Sequence, residues 1–190
     1  PSLGSAFESL DFLPTKPFFL FFGSVELRKN PLGVLKAFAR LAQKYSEVQL
    51  LIVGQKGWGA DDIEVEIQAL QCKNRIHWLN FASYSDLALL MRSCLGCVYP
   101  SFYEGFGLPV LEAQHLGAPV LTSRGGALEE VAGRSALLVN PSDIDEIENG
   151  LTKLYESAEL RDDLRRKGRE NLQRFSWAQC AEKTISVYKD

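Results

Sequence analysis

The sequence has little histidine and little cysteine: two of the first and four of the second in 190 residues. His77 and His115 have no partner at metal-ligand spacing, so both are expected to be structural. No apolar run approaches the ~20 residues that a membrane-spanning helix needs. Excess positive charge is lacking too. The formal net charge is −3, which gives nucleic acid no electrostatic reason to bind. Residues 1–16, PSLGSAFESLDFLPTK, lack the basic start and long apolar stretch of a signal peptide. No Asn-x-Ser/Thr acceptor is open, since Asn140-Pro141-Ser142 is blocked by its proline. These absences lead to an expectation of a cytoplasmic chain. Residues 1–17 are expected to form a linker and 18–190 a single domain. Hydrophobic residues make up 46% and charged ones 24%, enough for one sizeable core.

The cysteines are Cys72, Cys94, Cys97 and Cys180. Cys94-Leu95-Gly96-Cys97 has the spacing of a redox pair. Such pairs put the reactive thiol at a helix N-terminus, where the dipole favours a thiolate. Here Cys94 falls at the end of a helical pattern and Cys97 opens a strand. Two small core residues are expected instead. No second C-x-x-C or histidine pair completes a zinc site.

What the sequence does contain is alternation. FFLFFG (18–23) and VQLLIVG (48–54) are short apolar runs closed by glycine, the pattern of strands buried on both faces. RIHWLNF (75–81), GCVYP (96–100), APVLTS (118–123) and SALLVN (135–140) predict four more strands. Between them lie helical patterns. Asn30-Pro31 supplies an N-cap and an N1 proline. Asp61 or Asp62 is expected to cap the next helix and Ser85 the one after it. Pro109 starts a helix that Gly117 ends. After Pro141 the pattern is all helix, at about 143–157, 159–174 and 176–188. Strand and helix in alternation predict a doubly wound parallel α/β sheet, Rossmann-like, with extra C-terminal helices. Ligands of such sheets bind beyond the carboxyl ends of the strands. Three glycine-bearing loops fall there: Gly23-Ser24, Gly54 to Gly59, and Glu104 to Gly107.

The last loop, within SFYEGFGLPVLEA, carries two acids. Gly105 and Gly107 let backbone approach a ligand closely, and the helix that follows turns N–H groups near Leu108 toward any phosphate. Glu112, about one turn into that helix, can accept two hydrogen bonds from a vicinal diol such as a ribose. Glu104 can accept from a second polyol. By spacing alone, Glu112 is equally well a dipole-favoured first-turn acid and Glu104 a solvated loop acid. In GSVELRKN (23–30), a lysine after the first strand can reach a diphosphate, although a solvated Arg28-Lys29 pair reads the same way. Asp143-Ile144-Asp145 resembles an Asp-x-Asp metal motif, but acids at a helix start explain it better.

These segments together resemble the C-terminal, nucleotide-sugar-binding half of a family 4 retaining glycosyltransferase of the GT-B fold. The family's E-x7-E stands here as EGFGLPVLE, Glu104 to Glu112, within PSFYEGFGLPVLEAQHLGAPV. GSVELRKN resembles its phosphate loop, and LLIVGQKGWG, RIHWLNFAS, GGALEEVAG, ALLVNPSD and RFSWAQCAEKTISVY follow in the family's order, from about residue 18 to 188. The resemblance implies roles. Glu112 would hold ribose hydroxyls, and Glu104 would contact the transferred sugar. Gly105, Phe106, Gly107 and Leu108 would bind sugar and diphosphate through their backbone. Lys29 would neutralise the diphosphate beside Gly23, Ser24 and Arg28, and the main chain around Ile76 would face the base. Glu104 and Lys29 are then the catalytic candidates. The donor would be a nucleoside-diphosphate sugar, with no metal and no other cofactor. Glu104 is not expected to be a nucleophile, since the departing diphosphate is stabilised electrostatically. Two departures stand out. Many members carry arginine where this sequence has Ser24. GT-B enzymes also have two such domains, so the resemblance implies roughly half an enzyme. Its acceptor, a glycan, lipid or small molecule, would bind the N-terminal half. The intact Glu104/Glu112 frame favours the transferase, and Ser24 keeps alive the alternative of a nucleotide-binding or interaction module without catalysis. A dinucleotide oxidoreductase is disfavoured, because FFGSVELRKN lacks G-x-G-x-x-G.

Overall fold

A computed structural model describes residues 14–189. The linker expected over residues 1–17 therefore lies, through residue 13, outside the described residues. Among the described residues are six strands: β1 (Phe18–Phe22), β2 (Gln49–Val53), β3 (Ile76–Leu79), β4 (Gly96–Tyr99), β5 (Val120–Ser123) and β6 (Leu137–Val139). All pair in parallel in one sheet of order β3-β2-β1-β4-β5-β6. The helices are α1 (Pro31–Lys44), α2 (Ala60–Ala69), α3 (Tyr84–Ser93), α4 (Leu108–His115), α5 (Gly126–Ala132), α6 (Ile144–Glu156), α7 (Ala158–Leu172) and α8 (Trp177–Lys189). The doubly wound fold expected from the sequence is the fold observed.

The continuous apolar strands follow from burial on both faces. Side chains alternate across a strand. In β1, Phe19 and Phe21 enter one apolar cluster with Leu35, Phe38 and Leu41 of α1 and Leu151 and Leu154 of α6. Phe18, Leu20 and Phe22 enter the other, with Leu90 and Met91 of α3, Val110 of α4 and Leu128 of α5. A polar residue anywhere in β1 would thus be buried, and every position is apolar.

The helix starts are set locally. Asn30 Oδ1 accepts from the Gly33 N–H at 3.1 Å, and Pro31 occupies the first turn. Two expected caps fall elsewhere. Gly59 precedes α2 and offers no side chain, so Asp61 and Asp62 sit in its first turn. Ser83 rather than Ser85 caps α3, its hydroxyl accepting from the Asp86 N–H at 3.1 Å. No residue of α8 is buried, and Trp177, Ile185, Val187 and Tyr188 are exposed on it. No helix among the described residues is long and apolar enough to cross a membrane.

Candidate functional site

The strand order reverses between β1 and β4: β2 and β3 lie on one side of that pair, β5 and β6 on the other. A parallel sheet opens a crevice at such a switch point, at the carboxyl ends of its strands. The loops that follow β1 and β4 meet there. The Phe102 N–H donates to the Arg28 carbonyl at 2.9 Å. The Gly23 N–H reaches the Val53 carbonyl and the Gly54 N–H the Leu79 carbonyl, both at 2.9 Å. These bonds gather the ends of β1, β2 and β3 into one rim. Gly54 has no room for a side chain, since a Cβ there would collide with the Gly23 carbonyl.

After β1, a short 3-10 turn over Leu27–Lys29 turns the two cations in different directions. Lys29 is only 7% exposed. Its ammonium donates to Ser24 Oγ at 2.7 Å and lies against Gly23 and over the Tyr99 ring, 6.0 Å from its centroid. Burial lowers its pKa, with Glu26 and Glu104 acting in the opposite sense. Ser24 in turn donates to Glu26 Oε1 at 2.6 Å, and that bond leads in lowering the Glu26 pKa. Arg28 points to acids instead. Its guanidinium meets Glu104 Oε2 at 2.9 Å, Glu26 Oε2 at 3.3 Å and the Tyr103 carbonyl at 2.6 Å.

After β4, Glu104 is held on both oxygens. Oε1 accepts from the Tyr99 hydroxyl at 2.7 Å and from Ser101 Oγ at 3.3 Å, while Oε2 faces Arg28. Gly105 and Phe106 are exposed, and Gly107 is the N-cap of α4 with φ 105°. Leu108 and Pro109 form the first turn, so the α4 N-terminus opens beside these loops. Glu112, one turn in, is exposed, and its carboxylate makes no hydrogen bond or ion pair among the described residues. A carboxylate so placed is open to a ligand.

Gly23, Ser24, Arg28 and Lys29 thus come together with Glu104 to Leu108 at the switch point, with Glu112 on the adjoining helix. Ile76 does not. It opens β3 and pairs with Leu50 near the start of β2, whereas Leu79 pairs with Val53 at the carboxyl end. Its main chain therefore belongs to the opposite end of the strand. The segment at the carboxyl end of β3 begins at Leu79, and there Asn80 and Phe81 are exposed.

Tyr99, Ser101 and Glu26 were not among the expected site residues. A tyrosine ending a buried strand carries a hydroxyl that requires a partner, and that was the available signal. Asp143 accepts from the Asp145 and Glu146 N–H groups at 2.9 and 3.0 Å, so the Asp-x-Asp is a helix cap. Cys94 and Cys97 are buried with their sulfurs 3.9 Å apart, and burial pushes the Cys97 thiol well above its ordinary pKa. Among the described residues, no three His, Cys, Asp or Glu side chains gather as metal ligands.

Comparison with known proteins agrees with this fold. The family model described as glycosyl transferases group 1 matches residues 5–171. The chain is 35% identical over 174 residues to the O-antigen chain mannosyltransferase B of Escherichia coli, covering 90% of this chain and 45% of that protein. The fold superposes on sucrose-phosphate synthase of Thermosynechococcus elongatus with a TM-score of 0.81 at 26% identity, covering 94% of this chain and 46% of that one. It also superposes on Anabaena HepE, crystallised with UDP and glucose, with a TM-score of 0.79 at 21% identity, over 92% and 48%. The chain therefore spans less than half the length of these proteins. With its parallel sheet, its switch-point acids and a family match over most of its length, the chain belongs to the glycosyl transferases group 1 family.

Proposed function

We propose that this chain is the donor-binding half of a retaining glycosyltransferase, one that takes a nucleoside-diphosphate sugar and passes its sugar to an acceptor hydroxyl. The observation that carries this reading is the convergence at one switch point of a buried lysine, a helix N-terminus and two acids of different state. Lys29 and the first N–H groups of α4 suit a diphosphate. Glu112, exposed and unpaired, suits ribose hydroxyls. Glu104, already fixed by three donors, suits the hydroxyls of the transferred sugar. Positive charge and N–H groups near the diphosphate would stabilise it as it departs. No metal is assigned a role. The E. coli relative's name points to mannose and the HepE complex to UDP and glucose, so nucleoside-diphosphate conjugates of mannose and glucose are the first donors to try.

The test is calorimetric titration of the chain with UDP, GDP, ADP and their common sugar conjugates, with NAD as a control and without added metal. One nucleoside diphosphate is expected to bind, and Glu112→Ala to weaken it about tenfold or more, as loss of a bidentate carboxylate contact predicts. Binding of NAD alone, or binding indifferent to Glu112→Ala, would overturn the assignment.

A second reading, a nucleotide-binding module without transfer, is favoured by one observation: Arg28 is paired with Glu104 and Glu26, leaving Lys29 as the single cation directed at Ser24. It predicts nucleotide binding with no release of sugar from a bound donor by the full-length protein. Sugar release or transfer would rule it out.

A further inference from the structure

Tyr99 is the last residue of β4, at the switch point itself, and the donor-site reading gives it no part. Its side chain is 2% exposed. Its ring lies against Phe21 and Phe22, at 6.4 and 6.2 Å between centroids. Its face carries the Lys29 ammonium at 6.0 Å, within cation–π range. Its hydroxyl donates to Glu104 Oε1 at 2.7 Å. Tyr99 therefore touches two of the three charged side chains on which the reading depends, Lys29 through its ring and Glu104 through its oxygen.

The acceptor sites of Glu104 can be counted. A carboxylate offers about four lone-pair sites. Oε1 has two partners, Tyr99 and Ser101, and Oε2 has Arg28. Oε2 keeps one site open. Burial, and then the neighbouring Glu104 carboxylate, push the Tyr99 phenol well above its ordinary pKa, so it keeps the proton it donates. The Ser101 bond is longer, at 3.3 Å, and a serine hydroxyl rotates freely. Tyr99, clamped by two phenylalanines, cannot follow the carboxylate if it turns.

We propose that Tyr99 is a positioning residue for the donor sugar: its hydroxyl locks the Glu104 carboxylate so that the open site of Oε2 is presented in one orientation, while its ring seats Lys29. This rests on the donor-site reading and adds to it the group that sets the geometry. Tyr99 itself contacts no substrate in this scheme.

The experiment compares paired ligands. GDP with GDP-mannose, and UDP with UDP-glucose, are titrated into the wild-type chain, Tyr99→Phe, Ser101→Ala, Glu104→Ala and the Tyr99→Phe/Glu104→Ala double variant. The quantity read is the affinity for the sugar conjugate relative to that for its nucleoside diphosphate. Tyr99→Phe keeps the ring and is expected to lower this ratio about tenfold, the worth of a lost hydrogen bond to a charged group. Affinity for the bare diphosphate is expected to change less than about twofold, since Lys29 still meets an aromatic face. Ser101→Ala should lower the ratio by less than about threefold. In the Glu104→Ala background Tyr99→Phe should cost nothing more, because its effect passes through that carboxylate. An unchanged ratio in Tyr99→Phe overturns the proposal. So does an equal loss for both ligands, or a full further loss in the double variant, either of which marks a merely structural tyrosine. Failure of the wild-type chain to bind any of the four ligands overturns the donor-site reading and this inference with it. Wild-type binding with an indifferent Tyr99→Phe overturns the inference alone.

Discussion

Arg28 Nη1 lies 2.9 Å from Glu104 Oε2, and this pair joins the loop after β1 to the loop after β4 across the switch point. The same guanidinium donates to the Tyr103 carbonyl at 2.6 Å, and the Arg28 carbonyl accepts from the Phe102 N–H at 2.9 Å. The link is thus a brace with several members. A single point charge could not reach all of them, which is why arginine suits the place better than lysine. Glu104 leads among the groups that raise the Arg28 pKa, so the cation is permanent.

Removing the brace should separate two effects. Arg28→Ala takes a charged donor from Glu104 and from the Tyr103 carbonyl. The Arg28 side chain is 41% exposed, so water screens much of the loss, and stability should fall by only about 1 kcal/mol. That is a drop of roughly 2–4 °C in Tm for a domain of this size. Donor affinity should fall more, by about fivefold to tenfold, and more for the sugar conjugate than for the nucleoside diphosphate. Calorimetry on both ligands checks it. An equal loss for both would place Arg28 on the diphosphate instead.

Lys29 predicts a pH dependence. Burial lowers its pKa, so the folded protein releases this proton at a lower pH than the unfolded chain does. Between the folded value and the ordinary lysine value of about 10.4, the unfolded state binds more protons, and stability rises with pH there. On the proposed donor-site reading, diphosphate binding would run the other way, because it would draw on the ammonium. The Kd for the nucleoside diphosphate should therefore increase as pH is raised from 7 toward 10, starting below the range in which exposed lysines titrate. Lys29→Arg, whose charge persists above about pH 12, should give a flat profile. A wild-type profile equally flat to pH 10 would remove Lys29 from the diphosphate site.

Much of this site could be read from the chain, because its signals are local. FFLFF announces burial on both faces, Asn30-Pro31 announces a helix start, and a glycine closing each of the first two strands marks the crevice. The errors lie where register or distant partners decide. RIHWLNF reads as one apolar segment, and only pairing with β2 shows that Ile76 opens β3 and Leu79 ends it. Ser83 and Ser85 are both plausible caps, and the Asp86 N–H settles the choice. Arg28 and Lys29 are neighbours of the same charge, yet one reaches Glu104 and the other Ser24. The 3-10 turn that splits them has no signature in GSVELRKN.

The two glycines of the acidic loop should respond differently to alanine. Gly107 has φ 105°, and a Cβ there would come within 2.8 Å of Leu128 Cδ2. Left-handed backbone and overpacking together should cost about 2–4 kcal/mol. Gly105 is exposed, with no atom within 4 Å of a Cβ. Gly105→Ala should leave stability within about 0.5 kcal/mol of wild type. It nevertheless puts a methyl group where the proposed donor would approach, and donor affinity should fall by about fivefold or more. Denaturant melts together with titrations test the contrast. Gly105→Ala binding the donor normally would mean that the ligand does not approach this stretch of backbone.

The buried amide of Asn171 predicts a stability effect that spares the site. From α7, its Nδ2 donates to Gln114 Oε1 of α4 and to the Val131 carbonyl of α5, both at 2.9 Å, and its Oδ1 accepts from Arg174 Nη1 at 2.7 Å. Gln114, 1% exposed, passes the chain on to Ser135 Oγ at 2.7 Å. A buried network of this kind is costly to break from one side, since the acceptors left behind lose their partner without regaining water. Asn171→Leu strands Gln114 Oε1 and the Val131 carbonyl, and should cost about 2–4 kcal/mol, or roughly 5–12 °C in Tm. The network lies beneath α4, whose other end opens on the crevice, and none of its side chains is among the expected ligand contacts. Protein that remains folded should therefore bind the nucleoside diphosphate within about threefold of wild type, a change near the error of additive behaviour at distant sites. A tenfold loss of affinity with Tm unchanged would reverse the assignment and make α7 a determinant of how α4 meets its ligand.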